Sequence, residues 1–383
     1  YTFTDRDNDL IDTRVTVYQT QNDLNQVNGT MHVDAYVKTF GLNIENTSLI
    51  NNHEITYGIN HRDDESFMDD YYSNASHYYA ESGSVSGLYI QDNIELSDKL
   101  TLSAGARYDQ YKLTDVNDTE FSAGGLSPNL GTAYQINNEF GVYANYAQAL
   151  RGPEMRDVYQ IWSYTNDASL DVETSHNIEI GTTYRKNQLE LGFGVYQSII
   201  EDPIGKLTSG SYGNLEDSID TKGFYFDARY QLDKITAGLH FHSAESLADG
   251  DFVSRYEYGS TATNIGDTLV LSLDYEASKT FQAGWSAEFV KSMNDLESEV
   301  YDSDSGSYVT IAYDMPGYTV HNIYAKWLPL GDDQLTVSLT VNNLFDKKYL
   351  SHATVADWTD TWSGISGQNA AGRDIRLSAA YKF

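Results

Sequence analysis

Runs of strict apolar–polar alternation recur along this chain, and they demand strands with one apolar face and one polar face. In the last stretch, AGRDIRLSAAYKF (371–383), the apolar positions are Ile375, Leu377, Ala379, Tyr381 and Phe383. Leu100, Leu102, Ala104, Ala106 and Tyr108 repeat the pattern, as do Leu189, Leu191, Phe193 and Val195. Leu269, Leu271, Leu273 and Tyr275 do so again, followed by Leu335, Val337, Leu339 and Val341. Each run is about ten residues long, the length a tilted strand needs to cross a bilayer. Strands of a soluble sandwich are shorter, near five or six residues.

The connections sharpen this reading. Short turns fall at 49–54, 97–100, 135–139, 185–188, 231–234, 276–279 and 329–334. Between them lie longer polar stretches at 21–33, 66–80, 114–122, 150–172, 202–217, 245–264, 294–315 and 347–370. Short and long alternate without exception, as the periplasmic turns and extracellular loops of an outer-membrane barrel do. The expectation is an all-β, transmembrane antiparallel β-barrel of about sixteen strands. YTFT (1–4) reads as the tail of a strand and DRDNDL (5–10) as a periplasmic turn, so the chain is expected to begin inside a barrel already under way.

Composition agrees by exclusion. No apolar run approaches the ~20 residues of a membrane-spanning helix, and a mean hydropathy of −0.48 is ordinary for a barrel, whose lumen-facing residues are polar. Asp and Glu number 56 against 24 Lys and Arg, a net charge of −32 that disfavours nucleic acid as a partner. The absence of cysteine removes disulfides, thiol catalysis and cysteine metal sites. With no Met at its start and no signal peptide visible at Tyr1, the chain is expected to be a processed or truncated product.

Several stretches resemble the TonB-dependent outer-membrane receptors. SGLYIQDNIELSDKLTLSAGARYD (86–109) resembles that family's strand–turn–strand signature, and ALRGPEMRDVY (149–159) its FRAP box, with Gly152 in place of the usual Ala and Leu150 in place of Phe. DASLDVETSHNIEIG (167–181) is similar to the NPNL box, keeping Leu170, Glu173, Glu179 and Gly181 but losing the prolines and asparagines. VNNLFDKKY (341–349) and GRDIRLSAAYKF (372–383) are similar to the C-terminal signature. The resemblance implies residues 1–383 of an N-terminally truncated barrel of about 22 strands around a plugged lumen, with the plug and about six strands missing. It also implies that Tyr381 and Phe383 carry the end signal read by the barrel-assembly machinery. An aromatic at the periplasmic girdle would place Phe383 equally well.

Candidate ligand contacts gather in the long stretch 150–172, external by parity. Arg151, Glu154 and Arg156 would form either an ion-paired loop base or a substrate contact. Tyr159, Trp162 and Tyr164 would stack on a planar ligand or anchor at the interface. Haem receptors of the family carry a histidine between the FRAP and NPNL boxes, and 151–171 has none. His77, within YYSNASHYY (71–79), and His352 in the last external stretch are the alternative donors, and tyrosine also ligates haem iron. The carboxylate-dense RDDESFMDD (62–70) and NDLESEVYDSDS (294–305) lack the spacing of a calcium loop. No nucleophile–base pair or phosphate-binding glycine loop is present, so an enzyme is not expected.

The function implied is TonB-dependent uptake of a scarce iron compound, a ferric siderophore or haem, with no resident cofactor and no identified metal site. Its implied partners are the TonB–ExbB–ExbD complex acting through the missing plug, outer-membrane lipid and lipopolysaccharide, and the assembly machinery; a monomer in the bacterial outer membrane is expected. The alternatives are a passive sixteen-stranded porin, or a TonB-dependent receptor for cobalamin, copper or a glycan.

Overall fold

The computed structural model describes the chain apart from residues 6, 30, 73–74, 156–164, 208–210, 254–263, 303–304, 354–355, 358–365, 368 and 383. Among the described residues there is no helix. Two compact units divide the chain: residues 1–134, 144–178 and 198–218 make one, and 135–143, 179–197 and 219–383 the other.

In the first unit, Asp12–Asn28, Met31–Ile50, His53–Tyr72, Ala75–Ser97, Leu100–Thr114 and Glu120–Gln135 pair antiparallel, each with its sequence neighbour. In the second, Ile219–Leu232, Ile235–Ala248, Thr268–Ser278, Phe281–Val290, Tyr318–Trp327, Leu335–Asn342 and Asp374–Tyr381 do the same. Phe140–Arg151, Glu173–Lys186 and Leu189–Glu201 contribute residues to both units. Among the described residues these are sixteen long strands, the number expected. The short turns also stand where the sequence puts them. Asn51, Asn187 and Asp233 hold the left-handed φ of 57°, 51° and 49° that tight hairpin turns require and that Asn and Asp tolerate best.

The long polar stretches are a correction in part. Residues 21–28 and 31–33, and 66–72 and 75–80, are not irregular loops: the ladders Asp12–Asn28/Met31–Ile50 and His53–Tyr72/Ala75–Ser97 run through them. Twenty residues at ~3.3 Å each rise about 66 Å, more than twice the apolar band of a barrel. Beyond that band no lipid enforces the pattern: one face packs on a small cluster around Ala35 and Met68 that also buries the polar Ser66 and Asp70, so apolar alternation no longer marks the strand. Met293–Asp302 and Ser307–Met315 form a separate hairpin inside the stretch 294–315.

One face of each ladder is apolar and exposed. Leu88, Ile90, Leu126 and Leu130 expose 52–62% of their surface in the first unit, and Leu273, Tyr275, Ile375 and Leu377 expose 47–75% in the second. A contiguous exposed face of this kind is a liability in water and the natural surface against lipid. The residues between them are bonded on the other face: Tyr89 donates to Glu45 at 2.9 Å and Gln91 to Ser103 at 2.8 Å. In the second unit, Tyr143 and Tyr225 both donate to Glu179, at 2.9 and 2.6 Å.

Candidate functional site

The described part of the FRAP-like segment, 149–155, is fastened at almost every residue within the first unit. Tyr111 donates its hydroxyl to the Leu150 carbonyl at 3.0 Å. Its ring covers Gly152 so closely that a Cβ on that residue would lie 2.3 Å from a ring carbon. Arg151 donates to Glu173 at 2.7 Å and to the Ile204 carbonyl at 3.4 Å, while the same Glu173 oxygen accepts the Ile204 amide at 2.8 Å. Pro153 is fully buried. Met155 packs with Leu113, Phe121, Leu170 and Ile204.

The far end of the stretch is tied down as firmly. Asn166 donates to the buried Asp115 at 3.1 Å, and Asp115 accepts the amides of Asn117 and Thr119 at 2.9 and 3.0 Å. Tyr212, on the hairpin Ile204–Lys206/Tyr212–Asn214, exchanges backbone hydrogen bonds with Thr165 and Asp167 at 2.8 and 2.6 Å. The Ser169 hydroxyl, then its amide, hold the Asp167 carboxyl below its ordinary range. Leu170, Glu173, Glu179 and Gly181, the residues kept from the NPNL box, each fill a packing or bonding position; the Tyr143 ring leaves no room for a Cβ at Gly181.

Beneath this base, on the inner face, lies a cavity of about 630 Å³. Its polar wall is a network of cations and carboxylates. Arg107 bonds Asp109 at 2.5 and 2.6 Å and Asn60 at 2.6 Å, while Arg62 bonds Asp64 at 2.6 Å and reaches Glu154 at 3.4 Å. Each guanidinium is therefore fixed in direction by carboxylates, which orients it and offsets its charge. Arg62 and Asp64 stood in the sequence only as part of the carboxylate-dense stretch 62–70, and Asn60, Arg107 and Asp109 were not among the candidate site residues. Their signal was present as the polar alternates opposite Leu88, Tyr108 and their neighbours, but alternation gives the face and not the partner.

The seven ligand candidates separate under this geometry. Arg151 belongs to the ion-paired loop base. Arg156, Tyr159, Trp162 and Tyr164 lie outside the described residues. His77 stands in a ladder rather than a loop, half-buried and in register with the buried Asp70. His352, in the second unit, is 1% exposed; its Nδ1 accepts the Gly266 amide at 3.1 Å and its Nε2 bonds the Pro316 carbonyl at 3.0 Å. With both nitrogens engaged, His352 staples two backbone segments and has no lone pair to offer iron. Of the end-signal pair, Tyr381 is exposed on the apolar face and Phe383 lies outside the described residues.

Residues 1–344 match the family model described as TonB dependent receptor-like, beta-barrel. The chain belongs to that family. Membership replaces the passive-porin alternative and places these strands in an outer-membrane barrel. "Heme transporter BhuA" of Brucella ovis is 27% identical over 394 residues, covering 100% of this chain and 57% of its own length. "TonB-dependent heme receptor A" of Haemophilus influenzae strain 86-028NP is 25% identical over 80% of this chain and 46% of its own. Among solved structures, the FrpB iron transporter of Neisseria meningitidis (F3-3 variant) superposes with a TM-score of 0.80 at 22% identity, over 98% of this chain and 60% of that one. The chain thus spans about half the length of the curated relatives it matches.

Proposed function

We propose that residues 1–383 are the barrel portion of a TonB-dependent receptor that takes up an iron compound, and that the compound is haem. The observation that carries this reading is the likeness to a haem transporter along the entire chain. The fastened base of 150–172 supports it: a rigid frame under an external stretch holding Tyr159, Trp162 and Tyr164 can present flat rings to a flat ligand at small entropic cost. The inner wall of paired guanidinium groups, each already matched by carboxylates, offers little to a strongly anionic ferric catecholate. Coupling would come through the TonB–ExbB–ExbD complex and a plug, insertion through the barrel-assembly machinery, and the working form would be a monomer surrounded by lipid and lipopolysaccharide.

The test is growth of an iron-starved host lacking its own haem receptors on haemin as sole iron source, with the full-length receptor expressed in TonB-positive and TonB-negative backgrounds. TonB-dependent growth on haemin supports the proposal. Growth on a ferric siderophore and none on haemin overturns the ligand, and uptake without TonB overturns the mechanism.

A further inference from the structure

Two histidines share the inner face of one strand in the second unit. On Ile235–Ala248, His240 and His242 alternate with Leu239 and Phe241, and the same face carries Tyr225 and Ser272 on the neighbouring strands. Their rings lie 6.5 Å apart, centroid to centroid, and within 7° of parallel. Each ring is held through one nitrogen. His240 donates from Nδ1 to Asp227, its register partner, at 2.7 Å, and Nε2 of His242 meets the Tyr196 hydroxyl at 2.7 Å. Tyr196 also stacks on the His242 ring at 6.0 Å. It can lie there because Gly223 has no side chain: a Cβ would come 2.5 Å from the tyrosine oxygen. Among the described residues, Nε2 of His240 and Nδ1 of His242 have no hydrogen-bond partner.

This is how histidines that hold a metal are built. An outer partner on one nitrogen fixes the ring and the tautomer and leaves the lone pair on the other. Donation to Asp227 puts the lone pair of His240 on Nε2, and donation to the Tyr196 oxygen puts that of His242 on Nδ1. A histidine that only braces the wall would use both nitrogens, as His352 does. Side chains at i and i+2 of a strand share a face, and metal–nitrogen bonds of ~2.0–2.1 Å let two such imidazoles turn onto one ion. The surroundings favour a cation: five carboxylates and two guanidiniums border the cavity of about 950 Å³ that His240 lines. Ionisable side chains that face a cavity within membrane-spanning segments mark ion paths.

We propose that His240 and His242 form a chelating site for a divalent transition-metal ion of the imidazole-preferring group, with Cu(II) held most tightly. Asp227 and Tyr196 position the two rings. Among the described residues no group of three histidine or carboxylate side chains closes round an ion, so water or the ion's own ligands fill the remaining positions. A structural zinc site is closed by four protein ligands. Two donors on the inner wall leave the ion exchangeable, which suits passage rather than storage. The site does not rest on the haem reading, because the ion needs no porphyrin.

The experiment is a Cu(II) titration of the full-length receptor in detergent, its fold checked by heat-modifiable gel mobility. Equilibrium dialysis counts the bound ion and electron paramagnetic resonance reports its ligands. The expected result is a tightly held Cu(II) with nitrogen superhyperfine splitting that excess Ca(II) does not displace. His240→Ala with His242→Ala should remove it, and Asp227→Asn should weaken it ~10–100-fold. His53→Ala, which removes a histidine–aspartate pair that has no second imidazole beside it, should change nothing. Should the double variant not fold, copper with ascorbate and oxygen on the unaltered protein decides the matter, because the ligands of the copper oxidise first. Peptide mass spectrometry should then find the added oxygen at His240 or His242. Oxidation first at another residue, equal Cu(II) binding with and without the pair, or displacement by Ca(II) overturns the proposal.

Discussion

The ring of Tyr111 lies directly on Gly152, where an added Cβ would come within 2.3 to 2.7 Å of Cγ, Cδ2 and Cβ of the tyrosine. These are the root of the side chain rather than a flexible tip, so relief requires the strand or the loop base to move. Overpacking of this kind costs ~1–3 kcal/mol. Gly152→Ala, although alanine is the residue the FRAP-like pattern would have there, should therefore loosen the segment 149–155. Limited proteolysis of the folded receptor should detect faster cleavage in 150–172. Tyr111→Phe, which keeps the ring and removes only the hydroxyl bond to the Leu150 carbonyl, should leave the effect of Gly152→Ala in place, and an unchanged cleavage rate in Gly152→Ala itself would mean that this contact does not anchor the loop.

The division into lipid-facing and lumen-facing residues makes a sharper demand. Leu273 is 47% exposed on the apolar face, while its neighbour Ser272 borders an inner cavity of about 950 Å³. An arginine near the bilayer midplane on the lipid face costs ~2–4 kcal/mol. Leu273→Arg should lower the thermal or denaturant midpoint of the lipid-folded barrel, and Ser272→Arg should leave it nearly unchanged. Equal midpoints for the two variants would contradict the face assignment.

What the sequence disclosed and what it hid follow the same boundary. Inside the apolar band, alternation at Ile375 and Leu377 or at Leu273 and Tyr275 gives the strand, its face and its neighbours, because lipid on one side forces the pattern. At Gln21 or Asp69 the ladder has left the lipid band, and beside Asp69 the buried positions are as often polar (Ser66, Asp70) as apolar (Met68), so the residue types do not distinguish strand from loop. The candidate site was legible as a place and less so as a set of contacts. Arg151 and Glu173 are 22 residues apart, and their 2.7 Å bond depends on two strand ends meeting. His352 looked like an exposed loop donor because the Gly266 amide and Pro316 carbonyl that enclose it come from distant segments.

The end of the chain separates assembly from stability. Leu335 is in register with Tyr381, which is 54% exposed, so the terminal strand presents its aromatic to the surroundings rather than to a core. A single interfacial ring such as Phe383 contributes about 1–2 kcal/mol, below the value for full burial. Deleting Phe383 should thus lower the amount of receptor reaching the cell surface several-fold while shifting the unfolding midpoint of purified, folded protein only slightly. Normal surface levels in the deletion strain would remove the end-signal role.

The remaining prediction separates ligation from architecture at the histidines. If haem is the substrate, its iron needs an axial donor, and His77, Tyr159 and Tyr164 are the candidates proposed for the role. His352 is not one of them. Removing its imidazole strands the Gly266 amide and the Pro316 carbonyl, at a cost of ~1–3 kcal/mol for buried unsatisfied groups. His352→Ala should accordingly lower the unfolding midpoint yet leave the haemin absorption spectrum of the surviving folded receptor unchanged. His77→Ala or Tyr164→Phe should do the reverse, shifting or abolishing the Soret band with little change in stability. The measurement is a visible titration of the full-length receptor with haemin, run beside thermal unfolding for each variant. A Soret shift lost in His352→Ala and kept in the other two would invert the assignment and place the iron in the second unit.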